Sequence, residues 1–191
     1  PNRYILQILL ALNRVDEAGQ ALAVSLDELP DEEKRGAIVS IPRVFARVSD
    51  KAQAAQAVEK ALSHSLKRRD LEATAWTTIG RMRRDAEQWP QAIAAALRGH
   101  ASDPQAQGPL ILGVSLLSTG SIEIKSMLDQ AMQGPVAPDL QLGYARSLMA
   151  MESPRDALAP LQRLTQRHPD FAPGWLLLGL QIGRASCRER V

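Results

Sequence analysis

Arginine is the residue type in this chain whose spacing is best suited to bind a ligand. Arg43 and Arg81 lie 38 positions apart, and Arg47 and Arg84 follow them by four and three positions. On a helix, residues three or four positions apart share one face. Guanidinium groups grouped in this way bind carboxylates through paired, charge-assisted hydrogen bonds. The alternative is ordinary solvated helix surface, in which these arginines pair with nearby acidic residues such as Asp85.

No other residue pattern predicts catalysis or a cofactor. The sequence contains no glycine-rich phosphate loop, no H-E-x-x-H motif and no paired-cysteine metal motif. Its histidines, His64, His100 and His168, fall near the ends of predicted helices, where a positive charge would suit the helix C-terminus. The acidic run at 31–33 precedes a predicted helix, whose N-terminus favours negative charge. We therefore predict that the protein is not an enzyme and binds no metal or cofactor.

The composition predicts a helical protein. Apolar residues make up 45% of the chain and aromatic residues only 4%, with alanine and leucine dominant. Such a composition favours helices packed through small and medium side chains. The sequence has no apolar run of 18 residues, so it predicts no membrane-spanning helix.

The basic character of the chain is confined to its last ten residues. The formal net charge is +2, and without residues 182–191 the chain has 20 basic and 20 acidic residues. The same segment holds the chain's one cysteine, Cys187. The string IGRASCRERV resembles the translation of a sequencing adapter read through at the end of a DNA fragment. We therefore predict that 182–191 is a non-native tail and that the natural protein continues past Gln181.

Small, aromatic and proline positions recur along the chain at a spacing typical of helix pairs. Alanine precedes proline by 12 residues in three segments, the first of which runs from Ala18 to Pro30. Small residues at such places let two helices approach closely, tryptophan fills the gap to a neighbouring pair, and proline ends a helix. The positions that share the pattern are Trp76, Gly80, Ala92 and Pro104 in one segment, Ala145, Ala157 and Pro169 in another, and Trp175 with Gly179 in the last.

This pattern resembles the tetratricopeptide repeat, whose 34-residue signature is W-x2-L-G-x2-Y, then A-x3-F, then P. The resemblance implies an all-α, right-handed α-solenoid of stacked antiparallel helix pairs. It implies about five repeats and the start of a sixth. The predicted units are 1–34, 35–72, 73–105, 106–137, 138–171 and a partial 172–181.

Two of these units depart from the signature. Unit 35–72 is longer than 34 residues and carries Pro42 inside its first helix, where we expect a kink. In unit 138–171, Pro160 also lies well inside a predicted helix, and we expect a bend or a break there.

In unit 106–137 the positions that would face the groove are apolar, which indicates either a hydrophobic pocket for a partner or a shift of register. These positions are Leu110, Ile111, Val114 and Leu117.

The resemblance implies that function lies on the concave face, which the first helix of each pair mainly lines. In the family's register, Arg43, Arg81 and Arg146 take groove-facing places, with Arg47 and Arg84 one turn further along. The arrangement is distantly similar to the carboxylate clamp of chaperone-binding tetratricopeptide proteins, but the lysine and asparagine pattern of that clamp is not reproduced. We predict a non-enzymatic protein–protein interaction scaffold. Its predicted partner is a protein or peptide with acidic groups or a C-terminal carboxylate.

Two alternative functions stay open at this point. The repeats could form a structural spacer or oligomerisation segment of a longer, envelope-associated multidomain protein. A helical repeat that binds RNA is the least favoured alternative, because the body of the chain has no net positive charge to attract phosphates.

The compartment is not determined by the sequence. A ratio of 18 arginines to 5 lysines, with many alanines, indicates a GC-rich bacterial genome. The chain opens in mid-pattern at Pro1, so both the bacterial periplasm or cell envelope and the cytoplasm stay open.

Overall fold

The structure is a computed structural model that describes residues 2–151 and 154–188. The side chains of residues 2, 3, 154 and 182–188 lie outside the described part. Within it, the chain forms eleven α-helices and two short 3-10 turns, at Ser65–Lys67 and Leu117–Thr119, and no strand. The helices are α1 (Asn2–Ala11), α2 (Val15–Glu28), α3 (Asp31–Val44), α4 (Lys51–Ala61), α5 (Glu72–Asp85), α6 (Trp89–Ser102), α7 (Gln107–Leu116), α8 (Ile122–Ala131), α9 (Pro138–Ala150), α10 (Pro154–Arg167) and α11 (Ala172–Arg188).

The all-α, helical-repeat fold class predicted from the sequence is confirmed. The chain divides into two compact units, Pro1–Leu116 and Leu117–Val191. Among the described helices, none is long and apolar enough to cross a membrane.

In the first unit, α2 and α4 pack side by side in the same direction. Gln53 donates to Asp16 at 3.1 Å, and the His64 ring nitrogen lies 3.3 Å from an oxygen of Asp27. Both pairs join residues 37 positions apart. A constant separation along two helices is the mark of a stacked repeat, because each neighbour presents the same position at the same height.

A cluster of charges extends this stack beyond the ends of α2 and α4. The Arg68 guanidinium donates to Asp31 at 2.6 Å, again across 37 positions, and to Asp70 at 2.7 Å. Its hydrogen bond, together with that of Lys34, lowers the pKa of Asp31 to about 2. Asp31 therefore pairs with a neighbouring repeat in addition to lying in the first turn of α3.

Helix α5 is the centre of the first unit. It packs against α3, α4, α6 and α7, so half of its 14 residues are buried, among them the polar Thr77 and Thr78. Its apolar contribution to the core includes Ala75, Ile79 and Met82, together with Ile38 and Ile41 of α3. A helix that is covered on several sides is the expected middle element of a stacked-repeat array.

Pro42 lies inside α3, two residues before its end, and a neighbouring helix donates to the carbonyl that the proline leaves without its usual donor. A proline has no N–H to donate to the carbonyl four residues earlier, which here belongs to Ile38. The hydroxyl of Thr78, on α5, donates to that carbonyl at 3.2 Å. Thr78 is buried, so this bond is shielded from water.

Two helix pairs of the first unit turn in the same way. Asn13 joins α1 to α2 and Glu87 joins α5 to α6, and both have φ of 57°. In each turn the following N–H bonds to the carbonyl five residues earlier, from Arg14 to Leu9 and from Gln88 to Arg83. Asparagine adopts this left-handed conformation readily, whereas glutamate does so at a cost.

We expect Glu87→Gly to raise the free energy of unfolding by about 1 kcal/mol, because glycine removes the strain of the left-handed backbone. The exposed Glu87 side chain makes no hydrogen bond or ion pair within the described structure. The measurement is urea unfolding followed by circular dichroism. Asn13→Gly is the matched control and should change the stability by only a few tenths of a kcal/mol. An equal gain at both positions would contradict this account.

In the second unit, α9 packs against α10 and α10 against α11. Arg167 closes the end of α10 against the loop after α8, donating to the carbonyls of Gly134 and Gln133 at 2.7 and 2.6 Å. Helix α10 continues through Pro160 as one helix, so the break expected there does not occur.

Helix α11 continues further than the repeat pattern indicates. The last predicted partial unit is 172–181, but the helical backbone extends to Arg188. Residues 189–191 and the side chains of 182–188, including Cys187, lie outside the described part. The assignment of 182–191 as a non-native tail therefore stays a prediction.

Candidate partner-binding surface

Three of the candidate arginines carry charge that the rest of the first unit leaves unpaired. Arg43 lies on α3 and Arg47 just after it, both exposed, and Arg81 lies partly buried on α5. In the described part of the chain, no carboxylate lies within ion-pair distance of any of the three. Because α3 and α5 are packed neighbours, Arg43 and Arg81 belong to adjacent helices of one stack.

Arg84 differs from these three because it already has partners. It donates to Asp85 at 2.9 Å and to the Ser115 hydroxyl of α7 at 3.1 Å. For this residue the structure shows the ordinary alternative, pairing with a nearby acid. Arg84 therefore joins α5 to α7 and is less available for a ligand than Arg81.

Arg83, which is not one of the candidate arginines, is more enclosed than Arg84. Its side chain is 14% exposed, and it pairs with Glu59 of α4 and donates to Gln88 at 2.6 Å. The ion pair joins α5 to α4, and the hydrogen bond to Gln88 joins α5 to the turn that follows it. In the R-M-R-R sequence at 81–84, Arg83 and Arg84 therefore make contacts between helices, whereas Arg81 has no ion-pair partner among the described residues.

Arg146 lies in the second unit, exposed on α9. It has no ion-pair partner among the described residues of that unit. The five candidate arginines are therefore distributed as four in the first unit and one in the second.

The small residues of the repeat pattern in the first unit lie at helix contacts. A Cβ added at Gly80 would come within 2.3 Å of Leu112 and 3.2 Å of Ala95. Ala92 is fully buried on α6. Trp76 is partly buried, with the Arg98 guanidinium 4.9 Å from its ring centroid. Pro104 follows the last residue of α6 by two positions.

In the second unit the pattern residues fall into two groups. Ala145 and Ala157 are fully buried on the packed helices α9 and α10. Trp175 is 51% exposed, and its indole N–H donates to the carbonyl of Pro169 at 2.8 Å. Gly179 is exposed and has no atom within 4 Å of a Cβ placed on it. Trp175 and Gly179 thus lie on a face of α11 that the described residues leave uncovered.

The apolar residues of α7 and the following 3-10 turn lie mostly in the core. Leu110 and Leu117 are buried, Val114 is partly buried and Ile111 is 45% exposed. Two of the four positions are therefore not available to line a groove. This distribution favours the shift of register over a hydrophobic pocket.

Each histidine of the described structure lies outside any cluster that could hold a metal ion. No group of three or more metal-binding side chains occurs in that part of the chain. Burial lowers the pKa of His100 below its ordinary value, against the opposing effect of Asp103. Burial therefore disfavours a positive charge on His100, although the ring lies near a helix C-terminus, where such a charge would be favourable.

A polar network in the second unit was not predicted from the sequence. Tyr144 is fully buried on α9 and donates to Asp129 of α8 at 2.6 Å. Lys125 donates to the other oxygen of Asp129 at 2.9 Å and lies 3.6 Å from Asp156 of α10. Burial and then the Asp129 hydrogen bond raise the pKa of Tyr144 above its ordinary range. The network links α8, α9 and α10.

The described structure is a helical-repeat protein in which Arg43, Arg47 and Arg81 have no ion-pair partner among the described residues. No family model and no curated protein matches the chain. Among solved structures it is similar to a thermophilic TPR protein of Thermus thermophilus. The identity is 15% and the TM-score 0.49, over 95% of this chain and 99% of that one. At that level the similarity transfers no function, and the fold assignment rests on the helices and contacts described above.

Proposed function

We propose that this protein is a non-enzymatic interaction scaffold that binds a peptide or protein partner through carboxylate groups. The observation that carries the proposal is the free charge of Arg43 and Arg81 on two adjacent helices. Helical-repeat arrays bind extended segments on the faces that their internal packing leaves free. Arginine at such a face favours carboxylates, because its fork of donors matches both oxygens.

The proposed partner carries acidic side chains or a free C-terminal carboxylate. Arg47 lies in the turn just after α3, not one helical turn further along it, and would offer a second exposed guanidinium near Arg43 in sequence. Arg84 would contribute less because it is held by Asp85 and Ser115. Arg146 is assigned only as a candidate contact of the second unit.

The test is a peptide array probed with the full chain, each peptide being present with a free and an amidated C-terminus. We expect binding to acidic or free-carboxylate peptides, and at least about tenfold weaker binding for the Arg43→Glu, Arg81→Glu double variant. The matched control is Lys67→Glu with Arg69→Glu, which makes the same change in net charge at two exposed positions without ion pairs in the described structure.

Two results would overturn the proposal. One is equal loss of binding in both double variants, which would mean that only net charge matters. The other is the absence of any carboxylate-dependent binding. A spacer or oligomerisation segment predicts that second result, and a nucleic-acid-binding repeat predicts instead a salt-sensitive gel shift with RNA.

A further inference from the structure

A groove lies between α2 and α4, and none of the candidate arginines lines it. It has a volume of about 220 Å³, is partly open to solvent and is lined by seven residues. These residues are Asp16, Gly19, Gln20, Ala23, Ala57, Lys60 and Ala61.

The groove exists because the side chains along its floor are small. The two helices approach so closely at Gly19 that an added Cβ would lie 3.0 Å from both the Cβ and the carbonyl oxygen of Ala57. Ala23 and Ala61 follow on either side one turn further along. A close crossing flanked only by methyl groups leaves space that neither helix fills.

A cross-helix hydrogen bond from Gln53 to Asp16 lies at one end of this space. The lining residues run from Asp16 to Ala23 on α2 and from Ala57 to Ala61 on α4. The groove is therefore a shallow recess of about two helical turns. A recess of this kind accepts large side chains from outside, in the way that a knob enters a hole between helices.

Charge is distributed along the groove in a defined order. Asp16 lies at one end, and Lys60, exposed on the wall, is level with Ala23 in the 37-residue register of the two helices. Acid and base are thus about two turns, or roughly 10 Å, apart along the groove. Within the described residues, Lys60 has no acidic partner and Asp16 has only the neutral amide of Gln53.

We propose that this groove binds an α-helix of a protein partner. The helix inserts a large apolar side chain between Gly19, Ala23, Ala57 and Ala61. It carries a basic residue that meets Asp16 and an acidic residue that meets Lys60. Two turns of helix separate those charges by seven positions, with the apolar residue three or four positions from each.

A helical partner fits this surface better than a small molecule. Sites for small molecules cover most of the ligand surface, whereas this groove is open along the helix pair. The recess also follows the direction of two parallel helices, which is the geometry in which a third helix packs its ridge into a groove. The inference does not depend on the proposed arginine function, because none of the candidate arginines lines this groove.

The test uses a displayed library of helical peptides, with randomised residues on one face, selected against the full chain. We expect enriched peptides to share a large apolar residue flanked by a basic and an acidic residue seven positions apart. Gln20→Trp fills the groove from an exposed wall position and should weaken their binding at least about tenfold. Gln91→Trp, at an exposed position on α6, is the matched control and should not.

Charge reversal provides the second arm of the experiment. Lys60→Glu should shift the selected peptides from an acidic to a basic residue at the position that meets it, whereas the control Lys67→Glu should leave the preference unchanged. Selection of no helical peptide, or equal binding of the selected peptides to Gln20→Trp and Gln91→Trp, would overturn the proposal. Circular dichroism of both tryptophan variants establishes that the helices are retained.

Discussion

We expect Gly80→Val to lower the free energy of unfolding by about 3 kcal/mol, because there is no space for its side chain. A Cβ at this position lies 2.3 Å from the end of Leu112 and 3.2 Å from the Cβ of Ala95, and the carbonyl of Ala92 is 3.5 Å away. Leu112 is buried and cannot swing into solvent. The two extra methyl groups of valine therefore force α5 away from both α6 and α7.

The matched control is Gly36→Val, which makes the same chemical change in the middle of α3. No atom lies within 4 Å of a Cβ at Gly36, so only helix propensity changes, by about half a kcal/mol or less. Chemical unfolding of both variants by urea measures the difference. Equal stability of the two variants would mean that the contact between α5 and α7 does not constrain this position.

The repeat pattern predicts most of the fold because small residues at fixed intervals mark the places where two helices must approach closely. A glycine at 80 and an alanine at 92 are needed where helices approach, and such requirements are visible as residue types at fixed intervals. The left-handed turn at Glu87 was not predicted, because glutamate is not a residue that marks this conformation. The register of α7 is ambiguous in the sequence because its leucines fit the core and the surface equally well.

The candidate site is less predictable because its availability depends on partners distant in sequence. Spacing selects Arg81 and Arg84 together, yet Arg84 bonds to Ser115, 31 positions away, and Arg81 has no such partner among the described residues. The pairing of Arg83 with Glu59 spans 24 positions. Contacts of this length depend on how neighbouring helices are stacked, and the sequence shows only the residue types that are able to make them.

The groove between α2 and α4 is likewise not predictable from the sequence. Alanine and glycine at its floor are ordinary helix-packing residues in a sequence. Only the structure shows that Gly19 and Ala57 meet while Ala23 and Ala61 leave space. A small residue can lie at a close helix contact or line an empty groove. The positions of both helices are needed to tell which of the two it does.

The second large effect is expected at Thr78, where a side chain replaces a backbone donor. We expect Thr78→Val to lower the free energy of unfolding by about 2 kcal/mol, because the buried carbonyl of Ile38 then has no donor. Valine has nearly the shape of threonine, so the change removes the hydroxyl and leaves the packing almost unaltered. The carbonyl depends on Thr78 because Pro42 has no N–H to give it.

A double-mutant cycle with Pro42→Ala separates this mechanism from a general effect of the substitution. Alanine at 42 restores the N–H that a helix directs at the Ile38 carbonyl. In that background Thr78→Val should cost well under 1 kcal/mol, giving a coupling of more than about 1 kcal/mol between two residues 36 positions apart. Thr77→Val is the control, since its hydroxyl bonds within its own helix to Ala73 at 2.7 Å and not to α3. Additive costs for Pro42→Ala and Thr78→Val would show that the hydroxyl does not replace the missing N–H. Strong coupling would show that the proline in α3 is tolerated because the neighbouring repeat supplies its hydrogen bond.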